Sequence, residues 1–163
     1  MADETDVAST SAVELLQLYR AKALSPLEVT RTLLDRLDSL EPKINAFCLV
    51  DRDGALAAAG ASEARWLRGE QTGARDGVPV TIKDLVLMRG FPTLRGSHLV
   101  ERDQDWSEDA PATARLREAG AVAAQMQRPD AGGAGSGGSG AAAAGGAREV
   151  PGIAGDPGQR AVA

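Results

Sequence analysis

The chain has 163 residues, 43% of them hydrophobic and 25% charged, with a formal net charge of −5. That length suits one domain with an ordinary charged fraction, and no apolar run approaches the ~20 residues of a membrane span. The acidic opening MADETDVAST is unlike a secretory or mitochondrial targeting segment, and the net negative charge argues against a nucleic-acid binder.

Residues 1–10 read as unstructured. Ser11 and Glu14 have capping-box spacing and start a helix whose apolar face is Ala12, Leu15, Leu16, Tyr19 and Ala23. Ser25-Pro26-Leu27-Glu28 gives a second start, with Val29, Leu33, Leu37 and Leu40 as the stripe and Glu41-Pro42 as the stop. The short link predicts an antiparallel helix pair. Ala46–Val50 reads as a buried strand. Cys48 lies inside it, more a core residue than a nucleophile, and a lone cysteine fits a reducing, cytoplasmic setting. An Ala-rich helix follows from Asp53 to Arg68, ended by Gly69, and 70–77 reads as a loop. Residues 78–84 form the next strand, with Pro79 near its start. The stretch 88–108 reads as irregular. Asp109 is expected to cap a helix through Ala119, with Glu108-Asp109 serving as capping acids, and Ala121-Val122 opens another strand. Strands alternating with helices predict an α/β sheet.

Lys83 stands out. The chain has three lysines against fifteen arginines, and one of the three closes the most strand-like run. An amine held at a buried strand end loses solvation, which favours its neutral form and lets it accept a proton from a serine hydroxyl. The plainer alternative is a solvated strand-end lysine paired with Asp84.

Asp76-Gly77-Val78-Pro79-Val80-Thr81-Ile82-Lys83-Asp84 resembles the lysine motif of the amidase signature family. That family includes bacterial amidases, one subunit of the glutamyl-tRNA amidotransferase and fatty acid amide hydrolase. Further stretches match in order: Ser25-Pro26-Leu27-Glu28-Val29, Asn45-Ala46-Phe47, Pro92-Thr93 with Gly96-Ser97, and Asp109-Ala110-Pro111 through Val122. Residues 11–122 are thus similar to the N-terminal part of the family's mixed-sheet α/β fold with flanking helices. The resemblance implies hydrolysis of a small-molecule carboxamide by a Ser–cis-Ser–Lys triad without metal or organic cofactor. In it Lys83 is the base, a bridging serine relays the proton and a second serine attacks the carbonyl. Backbone N–H groups of such a Gly/Ser-rich segment stabilise the oxyanion, each worth about 3 kcal/mol.

The tail departs from that pattern. Residues 131–147 are seven Ala, eight Gly and two Ser, and all five aromatic residues precede residue 107. Gly135-Ser136-Gly137-Gly138-Ser139-Gly140 is the nearest text to the family's Gly-Gly-Ser-Ser-Gly-Gly block, which makes Ser139 the candidate bridging serine. No serine follows Ser139, although Ile153–Arg160 faintly resembles the nucleophile segment, so the nucleophile is unassigned. By composition 131–147 reads as a Gly/Ser/Ala linker; the alternatives are a degenerate signature segment and the product of a shifted reading frame downstream of codon 122. Residues 123–163 are expected to be irregular. The chain is expected to be the N-terminal portion of a longer domain and inactive by itself; the alternative is a non-catalytic fragment or interaction module. A partial sheet would leave an unpaired edge prone to self-association. His98, the single histidine, has no second His near it to build a zinc site, and no phosphate-binding Gly pattern is present.

Overall fold

Two serine caps open the fold, and the computed structural model, which describes residues 7–127 and 148–149, shows both. In α1 (Ala12–Arg20) Ser11 accepts the Glu14 N–H while the Glu14 carboxylate accepts the Ser11 N–H at 2.9 Å. In α2 (Pro26–Ile44) Ser25 accepts the Glu28 N–H at 3.1 Å and Glu28 accepts the Ser25 N–H at 2.8 Å. Each box satisfies two N–H groups that a helix start leaves unpaired. Of the segment expected to be unstructured, residues 7–10 form a turn from which Val7 packs on the α1–α2 contact.

Pro42 does not stop α2, which continues to Ile44 and closes with Asn45 in the left-handed region at φ 48°. A proline in the last turn removes a single intrahelical bond, on the exposed side of the helix. The Glu41 carboxylate compensates by accepting the Ala46 and Phe47 N–H groups at 3.0 and 2.9 Å, which fixes the exit into the next strand. The buried residues of α2 are Pro26, Val29, Thr30 and Leu34, whereas Leu40 is exposed, so the stripe is rotated from the one expected. The helix packs more extensively on α3 than on α1.

β1 (Phe47–Val50) leads through Asp51, an N-cap that accepts the Gly54 N–H, into α3 (Arg52–Arg68), ended by Gly69 at φ 74°. β2 (Pro79–Lys83), α4 (Pro111–Glu118) and β3 (Val122–Gln127) form a β-α-β unit with parallel strands, as a helical crossover requires. β1 runs antiparallel to β3, and β4 (Arg148–Glu149) is parallel to β1, giving a mixed sheet of order β2-β3-β1-β4. β3 carries regular structure past Val122, where the foldable part was expected to end.

Asp109 does not cap α4. The N-cap is Ala110, with no side-chain cap bond. The Asp109 carboxylate instead accepts the Arg89 N–H at 2.7 Å and faces Arg117 at 3.5 Å, tying α4 to the segment after β2. It stands one residue before the cap position, and the Arg89 N–H it accepts comes from a segment that only the tertiary fold brings near. Glu108 is exposed.

Strand alternation divides the core in two. Val50 and Val122 pack with Leu34, Ala55 and Ala59 beneath α2 and α3. Leu49 and Ile82 pack with Met88 and Phe91 on the other face, where Cys48 and Leu116 join them. Tyr19 anchors α1: it is 2% exposed, lies edge-on to Trp66 at 5.8 Å, and donates its hydroxyl to the Gly77 carbonyl at 3.3 Å. Burial pushes its phenol above the ordinary range.

Candidate active site

Lys83 is the last residue of β2, half-buried, and stands in register with Gln127 on β3. Its carbonyl accepts the Leu85 and Val86 N–H groups at 2.6 and 2.9 Å, so the chain turns as soon as the lysine has been placed. Asp84 follows and is 3% exposed. Its carboxylate accepts the Leu94 N–H at 2.7 Å and the Gly96 N–H at 3.2 Å. Arg95 and Gly96 both lie in the left-handed region, at φ 56° and 67°. This bends loop 92–97 so that two N–H groups converge on one carboxylate, an anion-holding arrangement of backbone. Two stretches matched separately in sequence, the lysine motif and Pro92-Thr93 with Gly96-Ser97, therefore meet at the strand end. A cavity of about 460 Å³ lies beyond the loop, lined in part by Thr93, Arg95 and Trp106.

The other end of the motif is held by a cluster that no spacing in the sequence reveals. Asp76 is fully buried. Arg65 donates to both its oxygens, at 2.8 and 2.6 Å, and Ser62 Oγ donates at 2.6 Å. The Thr72 N–H adds a bond at 2.9 Å, and Trp66 Nε1 donates to the Asp76 carbonyl at 3.0 Å. Burial alone would push the Asp76 carboxyl up; the bonds from Arg65, Ser62 and Thr72 outweigh it and hold the group below the usual carboxylate range. The Asp76 carboxylate in turn raises Arg65. Gly77, at φ 82°, enters β2 where a Cβ would come within 2.6 Å of Pro26 and Ser62, so only glycine fits. Arg65 lies on α3 and Asp76 in the turn before β2, so no periodicity within one element pairs them.

Ser139, the Gly135–Gly140 block and Ile153–Arg160 lie outside the described residues. His98 is exposed. Among the described residues no group of three or more His, Cys, Asp or Glu side chains is placed to hold a metal ion. Among them, too, no helix is long and apolar enough to cross a membrane.

A family model described as Amidase matches residues 28–126. The A-type subunit of the glutamyl-tRNA(Gln) amidotransferase of Acidothermus cellulolyticus is 42% identical over 120 residues, covering 72% of this chain and 23% of that protein. The putative amidase AmiD of Mycobacterium tuberculosis is 38% identical over 120 residues, covering 74% and 25%. Among solved structures, the native peptide amidase of Stenotrophomonas maltophilia superposes with a TM-score of 0.68 at 27% identity, over 75% of this chain and 25% of that one. A bacterial aryl acylamidase of the amidase signature family gives 0.67 at 26% identity, over 72% and 25%. The mixed sheet, its flanking helices and the matched stretch thus have one source: the chain belongs to the amidase family. It spans about a quarter of the length of these relatives, matching their N-terminal portion.

Proposed function

We propose that this chain is the lysine-bearing N-terminal part of a hydrolase acting on carboxamide bonds, with Lys83 as general base. The observation that carries the reading is the placement of Lys83 at the end of a parallel strand, beside a loop that the buried Asp84 fixes, within the stretch matched to the family. In the Ser–cis-Ser–Lys scheme the bridging serine passes its proton to the neutral Lys83 amine as it takes one from the nucleophilic serine. The freed oxygen attacks the amide carbon, and the tetrahedral oxyanion rests on backbone N–H groups. The proton returns through the bridging serine to the departing nitrogen, and water then cleaves the acyl-serine ester. Ser139 is the candidate bridge. Because no serine follows it, the chain by itself is proposed to turn over no amide. The relatives' names span peptide, aryl and glutamyl-tRNA substrates, and no residue among those described selects among them.

A chimera tests the base. Residues 28–126 replace the matching part of the Stenotrophomonas peptide amidase, and peptide-amide hydrolysis is measured. Activity is expected to survive the exchange and to fall by about 10³-fold or more in kcat/KM with Lys83→Ala. A folded chimera whose Lys83→Ala variant stays within tenfold of its parent contradicts the assignment.

A further inference from the structure

The lining of the cavity beyond loop 92–97 includes Leu87, Thr93, Arg95, Val100, Trp106 and Glu108. Thr93 is the most deeply buried of them, at 1% exposed, and its Oγ1 has no hydrogen-bond partner among the described residues. A buried hydroxyl left unpaired costs the fold free energy that a ligand can return. Arg95 and Glu108 are exposed on the same lining, yet among the described residues neither makes an ion pair, with each other or with a third group. Asp105, also on the lining, differs in that it accepts the Ser107 hydroxyl at 2.8 Å. The walls are held in place by the fold itself. Asp84 accepts the N–H groups of Leu94 and Gly96, on either side of Arg95. The Trp106 indole donates to the Arg102 carbonyl at 2.9 Å, and the Trp106 carbonyl accepts the Gly90 N–H at 2.8 Å. With its N–H engaged, Trp106 offers a ligand only its ring. A preformed site spares the ligand much of the ordering cost of binding.

We propose that this cavity binds a small zwitterion with an aromatic or branched apolar body: an amino acid, free or as a dipeptide. Its carboxylate pairs with the Arg95 guanidinium and accepts from Thr93 Oγ1, while its ammonium faces Glu108. Its body packs on the Trp106 ring with Leu87 and Val100. The volume of about 460 Å³ lies in the range of small-molecule sites. A ligand with a carboxylate alone leaves Glu108 without a partner, and an amine alone leaves Arg95 and Thr93 without one. A polyanion is disfavoured by the two acids, Asp105 and Glu108. The proposal does not involve Lys83, so a Lys83→Ala variant should bind as the wild type does, whatever the fate of the catalytic reading.

The test is titration of purified 1–163 with L-phenylalanine and with the dipeptide Phe-Gly, followed through the Trp106 indole N–H resonance, which Trp106→Phe assigns. A saturable shift is expected, and the tighter of the two probes identifies the source. 3-Phenylpropionate, which lacks the ammonium, and 2-phenylethylamine, which lacks the carboxylate, should each bind about tenfold more weakly or worse. Arg95→Gln and Glu108→Gln should each weaken the zwitterion by about the same factor; both side chains are exposed, so the variants should keep the wild-type melting temperature. Thr93→Val, which keeps the shape and removes the hydroxyl, should weaken it about fivefold. No saturable shift with either zwitterion up to about 10 mM overturns the proposal. So does 3-phenylpropionate or 2-phenylethylamine binding as tightly as L-phenylalanine, or binding that Arg95→Gln or Glu108→Gln leaves unchanged.

Discussion

Replacing Arg65 with alanine is expected to destabilise the chain by about 3–5 kcal/mol, because it strands a buried carboxylate. Asp76 has no exposure, whereas Arg65 is 23% exposed, so loss of the arginine leaves the more deeply buried charge without its principal partner. Ser62 and the Thr72 N–H remain, but neither neutralises it. Asp76→Asn should cost less, since Arg65 can turn its guanidinium toward water. The same pair sets an acid limit. The Asp76 carboxyl is held below its ordinary value in the fold, so its stabilising effect is fully present above the unfolded-state value of about 4 and fades as pH falls below that. Urea unfolding followed by the fluorescence of Trp66, which bonds the Asp76 carbonyl, should show the wild-type midpoint dropping from pH 5 to pH 3. The Asp76→Asn variant should lose that part of the slope. An Arg65→Ala midpoint equal to the wild type's at pH 7 would show that this cluster does not stabilise the fold.

Asp84→Ala should be nearly as severe, at roughly 3 kcal/mol, because two hydrogen bonds to a charged acceptor are lost and two N–H groups are left facing a void. Its local effect matters more. With the carboxylate gone, nothing else shown accepts the Leu94 and Gly96 N–H groups, and loop 92–97 must leave the left-handed turn that Arg95 holds at a steric cost. Hydrogen exchange should therefore speed up at Leu94 and Gly96, while Val122, whose N–H bonds the Val78 carbonyl within the sheet, keeps its protection. Unchanged protection at both loop amides would show that the turn holds itself.

The parts of this fold legible in the sequence are those set by neighbours in the chain. Ser11 with Glu14 and Ser25 with Glu28 act within one helical turn, and the cap bonds form where the spacing places them. The strand ending in Lys83 is visible from its β-branched run and its proline. Asp109 misleads because the N–H it accepts belongs to Arg89, on the segment after β2, and that bond with the ion pair to Arg117 holds its carboxylate off the cap. Pro42 misleads because the bonds from Ala46 and Phe47 to the Glu41 carboxylate, not the proline, decide where α2 ends. Asp76 and Asp84 read as polar members of a motif. Their roles, clamping the entry to β2 and the loop after it, depend on Arg65 and on the Leu94 and Gly96 N–H groups, which meet them only once the sheet has formed. The family resemblance rests on stretches that each carry little alone; the fold gives two of them a common place at the end of β2.

We propose Lys83 as the base of an amidase site that lacks a competent nucleophile within residues 1–163. Exposure of purified 1–163 to a serine-directed fluorophosphonate, read by intact-protein mass spectrometry, tests it most directly. The expected result is no adduct on any serine, in the wild type and in Lys83→Ala alike. Stoichiometric labelling of one serine that disappears in Lys83→Ala would show a working nucleophile–base pair and overturn that proposal.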